Sequence, residues 1–299
     1  MAQLCPTAKI EKLLLPTDCS EFSEGAIREA VNLAKTCSSK LFVVSVIETN
    51  PEYESIAPQL IEKAEKETRQ HLESVKNRAA KEGVDCEIIA RQGEDPYKYI
   101  VDEAAKHQVS MIIMGRRGRK GLKRLMMGSV TAKVIGHSPC NVLVVPRAAR
   151  LEFRKILVAT DGSKYSNAAA SEAVAIAKRC GANLIAASVV PYESISPLGI
   201  VHSEMQWELV TEESRKAAES NIKNVKEIAE KEDVKIEELI LEGRPYEAII
   251  NAAKEKRVDL IVVGSHGRTG LDRLLMGSVT ERIIGHADCA VLVVKVSKI

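Results

Sequence analysis

The sequence predicts an α/β protein built from two tandem doubly wound domains. Apolar runs of four to six residues alternate with longer amphipathic segments, which is typical of strands and helices that follow one another along a chain. The stretch 111–145 (MIIMGRRGRKGLKRLMMGSVTAKVIGHSPCNVLVV) recurs almost unchanged at 260–294 (LIVVGSHGRTGLDRLLMGSVTERIIGHADCAVLVV). The chain has 299 residues, about twice a common domain length. We expect domains at 1–148 and 152–299, each a five-stranded parallel sheet of order 3-2-1-4-5 with helices on both faces.

The first repeat supplies these elements in order. Its predicted strands are 13–17, 41–46, 86–90, 111–114 and 142–145. The helix after the first strand has apolar residues at helical spacing, namely Ala26, Ile27, Ala30, Val31 and Ala34. A longer helix has one apolar face, made of Leu60, Ile61, Ala64, Leu72, Val75 and Ala79. The same series begins again at Ile156, so the second repeat is expected to fold like the first.

Composition limits the class of protein. With 45% hydrophobic and 28% charged residues, the chain is typical of soluble globular proteins. The sequence lacks an apolar run of about 18 residues, and its N-terminus lacks the basic and apolar blocks of a signal peptide, so we expect a cytosolic protein. A net charge of +2 indicates no overall preference for nucleic acid.

Cysteine usage points to a reducing compartment. The seven cysteines are scattered and include no Cys-x-x-Cys pair, so we expect buried thiols. The pairs His137-x-x-Cys140 and His286-x-x-Cys289 could together form a four-ligand zinc site. The favoured alternative is that each cysteine is a small buried residue at the start of the last strand of its repeat.

A glycine pattern follows the fourth predicted strand of each repeat. The residues are Gly115, Gly118, Gly128 and Ser129 in the first repeat, and Gly264, Gly267, Gly277 and Ser278 in the second. Glycines let the backbone approach a ligand closely, and a helix that begins at Gly-Ser offers unpaired amides to a phosphate. Asp18 and Asp161 end the first strand of each repeat and could accept hydrogen bonds from a ribose. If the first and fourth strands are neighbours, each aspartate lies beside its glycine loop.

Structural roles are the alternative for the same residues. The glycines could merely turn the loop, Asp18 could cap the following helix, and Ser278-x-x-Glu281 matches a capping box. Ala132 replaces the glutamate in the first repeat, so the capping box applies to the second repeat alone. Repetition of four positions at identical spacing favours ligand binding as the role of the glycines and serines. It does not decide between a binding and a structural role for the aspartates.

The spacing Gly-x2-Gly-x9-Gly-Ser, joined to an N-terminal Leu-Pro-Thr-Asp or Val-Ala-Thr-Asp-Gly-Ser segment, resembles the universal stress protein family in its tandem form. The resemblance covers nearly the whole chain and implies a Rossmann-like fold that binds ATP, ADP or AMP in a stress-response sensor. In ATP-binding members it implies ribose contacts from Asp18 and Asp161. It implies adenine contacts near Val46, Met114, Val189 and Val263. It implies phosphate contacts from Gly118, Gly128, Ser129, Val130, Thr131, Gly267, Gly277, Ser278, Val279 and Thr280. The predicted site also includes the adjoining residues Pro16, Thr17, Gly115, Arg116, Ala159, Thr160, Gly264 and Ser265.

The two glycine loops differ in charge. The first contains only basic charged residues, namely Arg116, Arg117, Arg119, Lys120, Lys123 and Arg124. The second contains Arg268 and Arg273, with Asp272 opposing them and His266 mostly neutral. Our hypothesis is that the first site binds the more anionic ligand or binds it more tightly, because clustered cations attract anions. The alternative is a solvated basic loop.

Motifs of catalysis are missing from the sequence. It contains no Gly-x4-Gly-Lys-Ser/Thr, no Gly-x-Ser-x-Gly and no His-Glu-x-x-His. A nucleotide-binding sensor is therefore the first hypothesis. The alternative is a slow ATPase or nucleotide phosphotransferase that uses Mg²⁺ bound through the phosphates, since phosphoryl transfer depends mainly on positioning and charge. Nucleic-acid binding is disfavoured because aromatic residues form 3% of the chain and none lies in the basic loop.

The last strand of each repeat predicts how the domains associate. Val142 to Val145 and Val291 to Val294 are apolar and are expected at sheet edges, where they invite pairing. The family resemblance implies edge-to-edge dimerisation through this strand. We therefore expect a pseudo-dimer within one chain, with a homodimer of whole chains as a further expectation.

Overall fold

The computed structural model describes residues 5–6, 10–50, 52, 56–118, 127–191, 204–268 and 276–296, with residues 204–211 as backbone only. In the first half the strands are β1 (Lys12–Pro16), β2 (Lys40–Glu48), β3 (Cys86–Gly93), β4 (Met111–Gly115) and β5 (Asn141–Val145). The helices are α1 (Glu24–Cys37), α2 (Pro58–Lys81), α3 (Pro96–His107) and α4 (Ser129–His137), with a 3-10 turn at Glu21–Ser23. Strands and helices therefore alternate as predicted.

The second half repeats this order. Its strands are β6 (Lys155–Ala159), β7 (Asn183–Val190), β8 (Ile236–Glu242), β9 (Leu260–Gly264) and β10 (Ala290–Val294). Its helices are α5 (Lys164–Cys180), α6 (Glu204–Lys231), α7 (Pro245–Glu255) and α8 (Ser278–His286). Among the described helices, none is long and apolar enough to cross a membrane.

All ten strands of the described chain form one continuous sheet. Its order is β3-β2-β1-β4-β5-β10-β9-β6-β7-β8, which contains the predicted order 3-2-1-4-5 in each half. Strands within a half are parallel, whereas β5 and β10 pair antiparallel, with Leu143 opposite Leu292. The predicted pseudo-dimer contact is therefore confirmed, and it joins the two sheets into one.

Helices cover both faces of the sheet, which explains the continuous apolar strands. Because side chains alternate along a strand, Leu13 and Leu15 of β1 belong to one core cluster and Leu14 belongs to the other. All three leucines are fully buried. Helices α1, α2, α5 and α6 cover the first face, and α3, α4, α7 and α8 cover the second. A strand buried on both faces requires apolar residues at every position.

The apolar face predicted for the long helix is only partly buried. Leu72, Val75 and Ala79 of α2 pack in the core. Leu60 is 62% exposed, and the first buried side chain of the helix is Thr68. The helix therefore packs on the sheet with its second half, and the expectation that its apolar face begins at Leu60 was wrong. Periodicity identified the helix but not where the sheet beneath it ends.

The expectation that all cysteines are buried thiols was also wrong. Cys5 and Cys37 form a disulfide that ties the N-terminal segment to the end of α1. The other five cysteines form no disulfide among the described residues and are only partly buried: Cys19, Cys86, Cys140, Cys180 and Cys289. An odd, scattered set of cysteines gave no signal for this pairing, which depends on how the N-terminal segment lies against α1.

A single carboxylate holds the linker between the halves. The two carboxylate oxygens of Asp259, at the start of β9, accept hydrogen bonds from the backbone amides of Phe153 (2.8 Å), Arg154 (2.9 Å) and Lys155 (2.8 Å). Phe153 is buried against the core and has a left-handed backbone, with φ of 51°. The entry into β6 is therefore fixed both by its aromatic side chain and by three amide contacts.

Candidate functional site

Each half brings its strand-end aspartate against its glycine loop. Strand β1 lies beside β4, and β6 lies beside β9, so the loops that follow these parallel strands leave the sheet at the same end. A β-carbon on Gly118 would lie 2.8 Å from Oδ2 of Asp18, and one on Gly267 would lie 2.8 Å from Oδ2 of Asp161. The predicted proximity is confirmed in both halves. A side chain at either glycine would have to displace the aspartate oxygen.

The aspartates organise the turn that follows the first strand of each half. Oδ1 of Asp18 accepts hydrogen bonds from the Ser20 amide (3.1 Å) and hydroxyl (2.7 Å), and Oδ1 of Asp161 accepts one from the Ser163 amide (3.0 Å). Helix α1 begins after Ser23, so the alternative in which Asp18 caps this helix was wrong. These are aspartate turns that hold each carboxylate in a fixed orientation.

Asp161 is held ionised by its neighbours. Burial by itself raises the pKa of Asp161, but hydrogen bonds from Ser163, Ser166 and the Arg268 amide outweigh it, so the pKa lies below its ordinary value. The Arg268 amide lies 2.9 Å from Oδ2. An ionised carboxylate at this position can accept further hydrogen bonds from the hydroxyl groups of a ligand.

The helix after each glycine loop begins without a side-chain cap in the described structure. Gly128 and Gly277 are the N-cap residues of α4 and α8, and neither helix has a side-chain hydrogen bond at its cap. Ser278 is the first helical residue of α8, so the capping-box alternative was wrong. The amide of Glu281 donates instead to the carbonyl of Gly277 (3.0 Å). The first amides of each helix have no acceptor within the helix and carry the positive end of its dipole.

Threonine hydroxyls at the site hold the loops together. Thr131 donates to the carbonyl of Gly115 (3.1 Å), and Thr280 donates to that of Gly264 (2.9 Å). Thr17 and Thr160 are buried, and their hydroxyls accept the amides of Cys19 and Gly162 at 3.3 Å. These side chains shape the site from within, so the backbone amides of Thr131 and Thr280 are what these two residues offer to a ligand.

The strand-end residues predicted to contact adenine are apolar and at least half-buried. Met114 and Val263 are buried, whereas Val46 and Val189 are half-buried against the same core cluster. Pro16 is buried and Ala159 half-buried at the ends of their strands. Val130 is half-buried, and its counterpart Val279 is 37% exposed. Apolar residues therefore occupy the strand ends from which the loops of the site leave.

Arg116 points away from the site, contrary to the expectation for its side chain. Its Nη1 donates to the carbonyls of Gly285 (3.1 Å) and Ala287 (2.8 Å) in the other half. Only the Arg116 carbonyl belongs to the loop, where it accepts the Gly128 amide (2.9 Å). The same place in the second half is taken by Ser265, which is 2% exposed and whose carbonyl accepts the Gly277 amide (2.9 Å). Sequence could not reveal this direction because it depends on the packing of the two halves.

The backbone of Arg117 lies next to the N-cap of α4. A β-carbon on Gly128 would lie 3.6 Å from Cα of Arg117. Nε of Arg117 is buried and, within the described ranges, has no hydrogen-bond partner. The corresponding residue in the second half is His266, whose Nδ1 lies 3.1 Å from Oγ of Ser265. The remaining charged residues of the two loops lie outside the described residues, namely Arg119, Lys120, Lys123, Arg124, Asp272 and Arg273.

Two pairs of residues near the site escaped the sequence analysis. Cys19 and Gly162, each directly after the aspartate, have left-handed backbones with φ of 63° and 79°. His71 of α2 places Nε2 3.0 Å from Oγ1 of Thr17. Its counterpart Asn221 of α6 donates to Oγ of Ser188 (3.2 Å). A comparison of the long helices of the two repeats would have aligned His71 with Asn221.

The histidines considered as zinc ligands pack against tyrosines. His137 lies 5.3 Å from the ring of Tyr97, and His286 lies 5.5 Å from that of Tyr246. The described part of the chain contains no group of three or more His, Cys, Asp or Glu residues placed to hold a metal ion.

The sequence matches the model of one protein family in both halves. The model described as the universal stress protein family matches residues 9–146 and again residues 152–295. The chain belongs to the universal stress protein family. It carries two universal stress protein units in tandem, which the family resemblance predicted.

Relatives and solved structures agree with this assignment. A universal stress protein of Methanocaldococcus jannaschii is 44% identical over 146 residues, which are 49% of this chain and 84% of the relative. One of Bacillus subtilis is 37% identical over 149 residues, 48% of this chain and 99% of the relative. The crystal structure of a universal stress protein from Archaeoglobus fulgidus covers 96% of this chain and 99% of its own, with a TM-score of 0.73 and 23% identity. That structure shares the tandem fold of this universal stress protein.

Proposed function

We propose that the protein is a regulatory binding module for adenine nucleotides (ATP, ADP or AMP), with one site in each half. The observation that carries the proposal is the pairing of Asp18 with Gly118 and of Asp161 with Gly267, each next to a helix without a side-chain cap. The same construction occurs twice on one chain.

Each part of the site suits one part of a nucleotide. The carboxylate is fixed by the serine two residues further on and is ready to accept hydrogen bonds from a ribose diol. The first amides of α4 and α8 and the dipole behind them favour a phosphate chain. Val46 and Met114, with Val189 and Val263 in the second half, provide an apolar surface for adenine. A magnesium ion would be held through the phosphates of the ligand.

The first site is proposed to take the more anionic ligand. Arg117 supports this proposal, because its buried Nε has no described partner and the second half has His266 in its place. Arg116 does not support it, since its charge is directed to the other half. The domain boundaries at 148 and 152, a cytoplasmic location and a homodimer of whole chains stay predictions.

The test is a calorimetric titration of the whole protein with ATP, ADP and AMP. Gly118→Leu is designed to block the first site and Gly267→Leu the second, because a side chain on either glycine must displace the aspartate oxygen that lies 2.8 Å from its β-carbon. Ala80→Leu, on the exposed face of α2, is the matched control. We expect two nucleotides per chain for the protein and for Ala80→Leu, and one for each blocked variant. No binding of any of the three nucleotides would refute the proposal.

The same samples separate a sensor from an enzyme. ATP incubated with Mg²⁺ and the protein for hours stays intact if the sites only bind. Steady formation of ADP that is lost when Gly118 and Gly267 are both replaced by leucine would favour the slow ATPase instead.

A further inference from the structure

Two basic side chains cross the junction between the halves, and each ends on the carbonyls of a helix in the other half. Arg116 donates to Gly285 and Ala287 at the end of α8, at 3.1 and 2.8 Å. Lys295 Nζ donates to Ile135 (2.9 Å) and Gly136 (3.2 Å) at the end of α4. The last carbonyls of a helix have no partner within it and carry the negative end of the dipole, so a cation there stabilises the helix end.

Each cation is also part of the strand-end loop of its own half. Arg116 follows β4, and its carbonyl accepts the amide of Gly128, the N-cap of α4 (2.9 Å). Lys295 follows Val294 of β10, whose carbonyl accepts the amide of Ser265 (3.2 Å). The carbonyl of Ser265 in turn accepts the amide of Gly277, the N-cap of α8 (2.9 Å). Each cation is thus connected by backbone hydrogen bonds to the helix N-terminus of its own site.

These contacts form a closed circuit between the two sites. Helix α4 begins at the first site and ends on Lys295, and α8 begins at the second site and ends on Arg116. Each helix has nine residues, about 14 Å, and is anchored in the core by buried side chains, which include Val134 and Ile135 in α4 and Ile283 and Ile284 in α8. Both cations are half-buried, so solvent screens their contacts less than it screens surface charges.

We propose that this circuit couples the two nucleotide sites with positive cooperativity, so that ATP in one site raises the affinity of the other. The proposal rests on the proposed function. A nucleotide bound at the N-terminus of one helix also holds in place the cation that is hydrogen-bonded to that N-terminus through the backbone, and this cation contacts the helix of the other site. The second nucleotide then binds a helix whose C-terminal end is held more firmly, so less conformational entropy is lost on binding.

The test compares the chain with variants that keep one site or lose one crossing cation. ATP is titrated into the wild-type protein, Gly118→Leu, Gly267→Leu, Lys295→Met and the control Arg154→Met, by calorimetry. Arg154 is 80% exposed near the same junction and pairs with Glu152. We expect the second ATP to bind the wild-type protein about five-fold or more tightly than it binds either one-site variant. Lys295→Met loses the contact with α4 and keeps that of Arg116 with α8, so its second ATP should bind less tightly than the second ATP of the wild type. Arg154→Met should resemble the wild type.

A second measurement requires no change at the junction cations. In Gly118→Leu, ATP can enter only the second site, so we expect it to slow hydrogen exchange of the amides at the end of α4, in the other half. Two ATP molecules that bind the wild-type protein at one-site affinities, or unchanged exchange in α4, would overturn the coupling alone. A wild-type protein that binds no ATP would overturn the proposed function and the coupling with it.

Discussion

The side-chain oxygen of Asn221 fills the space in which a β-carbon on Gly162 would lie. Gly162 has φ of 79°, directly after Asp161. In the first half the same two places are occupied by Cys19 and His71. The left-handed turn is thus common to both halves, whereas the side chain beneath it decides whether the turn can carry a β-carbon.

Gly162→Ala is expected to destabilise the protein by about 2–3 kcal/mol. About 1 kcal/mol comes from the left-handed backbone, and the rest comes from displacing Asn221 from its hydrogen bond with Ser188. Urea unfolding measures the change. The control is Gly181→Ala, with φ of 64° and nothing within 4 Å of the added carbon, which should lose about 1 kcal/mol. Equal losses for the two variants would contradict the contact with Asn221.

Reduction of the disulfide is expected to lower thermal stability. The bond between Cys5 and Cys37 joins residues 32 apart, and closing such a loop in the unfolded chain stabilises the fold by up to about 4 kcal/mol. Calorimetry with and without dithiothreitol should show a lower Tm for the reduced wild-type protein and no shift for Cys37→Ser. Cys180→Ser, at the matching end of α5, leaves the disulfide intact and should still respond to the reductant. A reductant effect of the same size in Cys37→Ser would rule out this bond as its cause.

Alkaline pH is expected to destabilise the protein through Cys289. Burial raises the pKa of Cys289 to about 12 from its ordinary 9.0, so the folded protein keeps a proton that the unfolded chain releases. Stability from this group is complete below pH 9 and falls as pH rises toward 12, by up to about 1.4 kcal/mol per pH unit. Urea unfolding at several pH values from 8 to 11 should give a steeper loss for the wild-type protein than for Cys289→Ala. If the stability of the two proteins fell in parallel with pH, the Cys289 thiol would ionise as readily in the folded protein as in the unfolded chain.

Asp259→Ala is expected to destabilise the entry into β6 by about 2–4 kcal/mol. The change leaves the amides of Phe153, Arg154 and Lys155 without their carboxylate acceptor. Asp259→Asn keeps one acceptor oxygen and should lose less. Asp288→Ala removes an exposed ion pair with Lys254 and should change stability by no more than about 0.5 kcal/mol in the same unfolding experiment. A loss for Asp259→Ala no larger than for Asp288→Ala would show that the linker does not depend on this carboxylate.

The repeat made most of the fold predictable, because apolar strands buried on both faces and helices with one apolar face leave clear patterns. It also placed each aspartate beside its glycine loop, since the ends of neighbouring parallel strands meet. The direction of Arg116 was not predictable, because its partners Gly285 and Ala287 lie in the other half. The disulfide of Cys5 and the exposure of Leu60 depend likewise on tertiary placement that local sequence does not encode.

The antiparallel pairing of β5 with β10 joins two parts of one chain, so it does not depend on protein concentration. Two separate domains that met along such an edge would associate to an extent set by how much protein is present. Here the short linker held by Asp259 keeps both partners on one polypeptide, at a high effective concentration. The pairing of β5 with β10 therefore does not depend on protein concentration, and the surroundings of the two candidate sites are the same at nanomolar and at millimolar protein.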